Sequence, residues 1–203
     1  MSRKILIRSD EFPYHVTCRS NNREWFEIPT QKMWELSLKC LAHANQKHPI
    51  TLISFVLMSN HYHMLLRTPE ANIDRFMYEF NKNLSLVVRN YAYRENRVFG
   101  GRYKWCLIRS HKYLFNCYKY VYQNPKRAKI VKHCEDYPYS TLYYIRHDKT
   151  FPLIIHDLFG FKDEYGLLKL NHLQPEIELT SIRKALKKSE LNVLKHPSRR
   201  TPL

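Results

Sequence analysis

Apolar and polar positions along the chain fall into two rhythms, and their alternation lays out the fold. Tyr14 to Arg19 (YHVTCR) is short and β-prone, and the polar turn SNNRE follows it. From Gln31 to Gln46, Trp34, Leu38, Leu41 and Ala42 recur at helical spacing, with Pro29 and Thr30 at the start as a plausible cap and Pro49 beyond the end. Ile50 to Met58 and His61 to Arg67 are apolar and β-branched around Ser59-Asn60, as in two strands of a hairpin or one long bent strand. From Asn72, Ile73, Phe76, Met77, Phe80, Leu84, Val87, Val88 and Tyr91 draw one apolar stripe, with Asp74, Arg75, Lys82 and Arg89 opposite. Gly100-Gly101 interrupts the chain before RYKWCLIRS, which alternates as a fourth strand would. A further helix runs from near His111 to Asn124, where Pro125 is expected to end or re-aim it.

The order β-α-β-β-α-β-α is most economically folded as an α+β domain: a ferredoxin-like, RRM-like four-stranded antiparallel sheet with helices on one face. Beyond Tyr139 the pattern weakens. Apolar FPLIIHDLFG, the segment Gly166 to Leu173, and a basic end with Ile182, Leu186 and Leu191 at helical spacing suggest a helical appendage that frays. The expected division is a core domain over 1–145 and a basic C-terminal helical extension over 146–203.

Composition narrows the partners. The chain has 203 residues, 44% of them hydrophobic and 14% aromatic, enough for a real core. Lys and Arg number 34 against 18 Asp and Glu, a formal charge of +16 that attracts polyanions and makes nucleic acid the first expectation. The N-terminal MSRKILIRSDEF is too short in apolar residues for a signal peptide and no long apolar run appears, so a cytoplasmic location without membrane contact is expected. The odd, scattered set Cys18, Cys40, Cys106, Cys117 and Cys134 suits free thiols in a reducing compartment, and no CxxC suggests a zinc finger.

Candidate chemistry begins at His61-Tyr62-His63. On a strand, residues two apart project to one face, so both imidazoles can grip one cation, although two histidines are only half of a ligand shell. Tyr120 and Asn124 are four apart and share a helix face; an amide oxygen at Asn124 could complete the pair and set Tyr120 beside the metal as a nucleophile. A phenol titrates near about 10 and needs a metal, a base or a cationic field to act. Each residue also has a plain reading: an aromatic on a helix usually packs, Asn before Pro is a natural terminator, and Arg102, Lys104, Arg109, Lys112, Lys126, Arg127 and Lys129 could be a solvated surface. Tyr103, Trp105 and Tyr113 among these charges favour single-strand binding, in which rings stack on bases and cations track phosphates.

Taken together, YHVTCRSNNREWF, FVLMSNHYHMLLRTP, FGGRYKWCLI, and YKYVYQNPKRAKIV followed by YPYSTL resemble the single-tyrosine HUH transposases, especially the REP-associated tyrosine transposase branch, over about Glu11 to Tyr144. The resemblance implies that His61 and His63 bind Mg²⁺ or Mn²⁺ with Asn124 as third ligand, and that Tyr120 is the nucleophile. It implies a transposase or nickase that cleaves and rejoins single-stranded DNA through a 5′-phosphotyrosine, with a hairpin-bearing strand laid across the sheet. Arg19, Arg102, Lys104, Lys126 and Arg127 are the candidates for holding phosphates. Where the family commonly has Arg-Gly, Arg19 here precedes Ser20, a change that could alter a turn. Monomer and homodimer are both open. The competing readings are a domesticated nickase or hairpin binder, a non-catalytic module that uses the sheet as a stacking platform, and a zinc hydrolase, which would need an acid such as Glu70 near the histidines.

Overall fold

A computed structural model describes residues 5–187. The elements are β1 (Tyr14–Arg19), α1 (Thr30–Lys47), β2 (Thr51–Leu57), β3 (His61–Arg67), α2 (Ile73–Ala92), β4 (Lys104–Leu107), α3 (His111–Arg127), α4 (Thr141–Arg146), α5 (Glu164–Asn171) and α6 (Glu176–Ala185). The strands form one antiparallel sheet in the order β2-β3-β1-β4, the arrangement expected from the element order.

Register decides which side chains meet. Thr17 lies opposite His63, Arg19 opposite His61 and His15 opposite Leu65, while on the other side of β1 His15 faces Cys106 and Thr17 faces Lys104. Directly opposed residues share a face, so His15, Thr17, Arg19, His61, His63 and Lys104 all project from one side of the sheet. Tyr14, Val16, Tyr62, Met64, Phe55 and Trp105 project from the other and bury themselves beneath α1 and α2. These are the paired helices of the ferredoxin-like frame.

The histidine side carries its own cover. Leu114, Cys117, Tyr118, Val121 and Tyr122 of α3 pack on Ile53, Val56, Leu65 and Cys106, and Leu167, Leu170, Leu179 and Ile182 from α5 and α6 close over the same cluster. The C-terminal helices therefore complete the second core layer. Between them, the chain also lines the sheet edge: Leu57 donates to the Tyr139 carbonyl (3.0 Å), Leu52 bridges Ile155 in parallel, and His156 donates to the Leu52 carbonyl (2.9 Å). Backbone groups of β2 that would otherwise template another strand are thereby engaged. The basic end past residue 187, including Leu191, lies outside the described residues.

Pro125 does not stop α3, which continues to Arg127. Proline lacks the N–H that would serve the Val121 carbonyl, but the Asn124 side chain substitutes: its Nδ2 donates to the carbonyls of Tyr120 (2.7 Å) and Val121 (3.3 Å). The expected break is absorbed within the last turn.

The Ser20 substitution is equally well accommodated. Its φ of −56° is ordinary for any residue, and its hydroxyl donates to the Glu24 carbonyl. The left-handed positions of this turn fall on Asn22 and Arg23 instead. Gly100 is the residue that must stay small, because a Cβ there would come within 3.1 Å of the Ser20 carbonyl oxygen. All five cysteines are buried free thiols, as their spacing suggested.

Candidate active site

Four rings, those of His15, His61, His63 and Tyr120, converge where β1 and β3 meet α3. The His61 and His63 rings lie perpendicular with centroids 5.1 Å apart. Tyr120 of α3 sets its ring edge-on to His63 at 5.3 Å and to His15 at 5.7 Å. The strand period puts the two histidines on one face, and the helix packing brings the tyrosine over them.

The second nitrogen of each imidazole is held. His61 Nδ1 lies 2.6 Å from Asn60 Oδ1, and His63 Nδ1 lies 3.0 Å from His15 Nε2. In each ring Nε2 is then the nitrogen that can offer a lone pair to a metal, the arrangement in which a partner on the far nitrogen fixes ring orientation and tautomer. Burial favours the neutral imidazole throughout: His61 falls to about 4, with Arg19 adding to the effect. His15 falls to about 3, and His63 is held well below its ordinary value by burial and the surrounding His61, His15 and Arg19. Uncharged at neutral pH, these rings keep the lone pairs that a metal requires.

Tyr120 is 6% exposed. Burial raises its phenol above the ordinary value, while a hydrogen bond from the Arg183 guanidinium of α6, its charge, and the charge of Arg19 pull the other way. Arg183 is itself anchored by Glu176 at 2.5 Å. Two cations therefore face the oxygen on which negative charge would develop.

Of these rings, His63 and Tyr120 line a cleft of about 770 Å³, together with the turn after β1, the Gly100–Lys104 segment and Arg183. Arg19, Arg102 and Lys104 lie in it with His63 and Tyr120, so three of the basic residues singled out from sequence gather around the site. Lys126 and Arg127 are placed elsewhere. Lys126 Nζ donates to the Asn171 carbonyl (2.9 Å), and Arg127 bonds Gln123 Oε1 (3.2 Å) and the Gln174 carbonyl. Both fasten the C-terminal segment to α3, with Gln123 adding bonds to the Leu170 and His172 carbonyls (2.6 and 2.9 Å).

Asn124 follows Tyr120 by one turn and is half-buried. Its amide nitrogen is committed to the helix backbone, which leaves Oδ1 uncommitted, and Asn124 is not among the residues that line the cleft with His63 and Tyr120. Among the described residues no group of three His, Cys, Asp or Glu side chains could hold a metal, so a third protein ligand would have to be another oxygen donor, such as an amide. Glu70, the acid a zinc hydrolase would need, lies past the far end of β3 and accepts from Asn72 Nδ2 at 2.8 Å.

His15 and Arg183 were not legible as site residues. His15 sits in a strand with nothing to separate it from any other inward side chain, and its meaning depends on pairing with β3. Arg183 is one of many cations in a basic tail, and only the packing of α6 on α3 aims it at Tyr120.

Comparison with known proteins bears on the family and the fold. A curated Haemophilus influenzae protein named "Putative REP-associated tyrosine transposase" is 28% identical over 109 residues, covering 48% of this chain. The match spans 62% of that relative's length. A solved structure described as the REP-associated tyrosine transposase bound to a REP hairpin superposes with a TM-score of 0.60 at 18% identity, covering 79% of this chain and 95% of that one, a likeness of fold. No helix among the described residues is long and apolar enough to cross a membrane. The family model for IS200-like transposases matches residues 9–124, more than half of the sequence and the whole span from before β1 through Asn124, and the chain belongs to that family.

Proposed function

We propose that this protein cleaves and rejoins single-stranded DNA through a covalent 5′-phosphotyrosine on Tyr120, with a hairpin-bearing strand as substrate. The observation that carries the reading is the contact of the Tyr120 ring with the neutral pair His63 and His15, within a cleft lined by Arg19, Arg102 and Lys104.

The donor types suit Mg²⁺ or Mn²⁺: two neutral imidazoles offering Nε2 and one amide oxygen. His61, His63 and Asn124 would hold the ion, which when bound polarises the scissile phosphate. The chain's own residues do the rest. Arg19, Arg102 and Lys104 hold flanking phosphates at the cleft. Tyr120 Oη attacks phosphorus in line, the P–O3′ bond breaks, and the phenol proton balances the new 3′-hydroxyl. Arg183 and Arg19 stabilise the phenolate character that develops on the way. Attack by a 3′-hydroxyl on the tyrosyl ester reverses the step and rejoins a strand without nucleotide energy.

A stacking platform on the open sheet, the binding-only alternative, needs a bare sheet face, and both faces are covered by helices. The catalytic reading is tested by incubating the full chain with end-labelled hairpin DNA and Mn²⁺, then denaturing. An SDS-stable adduct whose DNA-bearing peptide contains Tyr120 is expected; no adduct across a library of hairpins would sink it.

His15 gives a sharper test of how the ligands are held. For His63 to present Nε2, its Nδ1 must carry the proton and donate to His15 Nε2. His15→Phe keeps a ring of similar size and removes that acceptor. Mn²⁺ affinity, read by titration calorimetry, is expected to fall about 10- to 100-fold, with the circular dichroism spectrum unchanged.

A further inference from the structure

A second groove, of about 470 Å³, lies on the α2 side of the molecule. Met77, Val98, Phe99 and Tyr103 make its walls, Asn81 and Ser85 contribute polar groups, and Lys82, Arg89, Arg97 and Arg102 line it with positive charge. Its carboxylate, Asp74, is neutralised by Arg8 at 2.7 Å. An aromatic ring, Tyr78, stands 64% exposed at this groove.

Two features tie this groove to the active cleft. Cys18, Gly101 and Arg102 line both, so a strand in one can continue into the other. The second is the middle residue of the histidine motif. Tyr62 points away from His61 and His63, through the sheet, and its buried hydroxyl donates to Asn81 Oδ1 at 2.7 Å. That bond fixes the rotation of the Asn81 amide: its oxygen is turned to Tyr62, and its two N–H groups are what it offers the groove. A fixed amide donor between aromatic and aliphatic walls, under a cationic rim, matches a nucleobase joined to phosphates. It fits neither a duplex, which buries its base edges, nor an acidic peptide, which gains nothing from the rings.

We infer that the groove holds an unpaired nucleotide of the same DNA strand that enters the active cleft, with the base between Tyr78 and Phe99 and its acceptor edge on Asn81. This rests on the single-strand reading of the cleft. Tyr62 then serves both faces of β3, positioning the base reader while its neighbours position the phosphate.

The test uses the full chain in EDTA and a fluorescein-labelled DNA hairpin with single-stranded flanks, each flank position replaced in turn by an abasic residue, with binding read by anisotropy. One position is expected to lose about tenfold in affinity when its base is removed. Asn81→Ala and Tyr78→Ala should each erase most of that loss; Tyr78 is exposed, so its truncation leaves the core untouched. A flat abasic profile, or a peak that both variants leave unchanged, overturns the inference, as does weakening by Arg97→Glu alone with no base dependence. The same preparations are then given Mn²⁺ and assayed for covalent adduct. Adduct with a flat profile overturns only the base pocket, and a base-dependent profile lost in the variants but without adduct overturns only the cleavage reading.

Discussion

Tyr120→Phe is expected to abolish covalent capture of DNA and strand cleavage while leaving hairpin binding close to that of the unmodified chain. The substitution removes one oxygen, and no other phenol replaces it. Tyr118 donates to Asp157 (2.7 Å) and Tyr122 pairs with Thr141 (2.8 Å), both within the second core layer. Burial holds both hydroxyls far above their ordinary values, Tyr118 with the help of neighbouring Asp157 and Tyr122. Loss of an essential nucleophile costs roughly 10⁴-fold or more in rate. The lost Arg183 hydrogen bond should cost only about 1 kcal/mol in stability, since Arg183 is half exposed. Single-turnover cleavage on a labelled hairpin, run beside a thermal melt, separates the effects. Residual adduct in the variant would show that another residue is the nucleophile.

His61→Ala and His63→Ala should both eliminate Mn²⁺-dependent cleavage, yet differ in stability. His63 is 3% exposed and is the partner of His15, which is fully buried with no bond at Nδ1. Removing it leaves a cavity and a second orphaned nitrogen on His15, a cost of about 2–4 kcal/mol. His61 lies nearer the surface and its partner Asn60 is at a turn, so its loss should cost about 1 kcal/mol or less. Urea unfolding ranks the two, and calorimetric titration with Mn²⁺ should find binding lost in both. Unchanged Mn²⁺ affinity in His61→Ala would remove it from the ligand set.

Much of the frame was readable because it depends on local patterns. The β-prone run from Tyr14 to Arg19 and the apolar run from His61 to Arg67 gave β1 and β3 with the bounds the structure has, and the apolar stripe from Ile73 gave α2. Pro125 misled because a proline reads as a stop unless something supplies the missing donor, and that donor is a side chain whose rotamer no local pattern sets. The role of the tail was hidden for a related reason. Short helices α5 and α6 have weak periodicity, and their apolar faces acquire meaning only against α3.

The candidate site divides along the same line. Chain order alone placed His61 with His63 and Tyr120 with Asn124, because a strand repeats every two residues and a helix about every four. It also set the basic balance that points to a polyanion. Register between β1 and β3 then decided that His15 meets His63, and packing of α6 on α3 decided that Arg183 meets Tyr120. It further sorted the cations, sending Arg19, Arg102 and Lys104 to the cleft and Lys126 and Arg127 to hold the C-terminal segment. Periodicity fixes which side of its own element a residue occupies; the residue it will face across the core is set by contacts distant in sequence, and these exist only once the chain has folded.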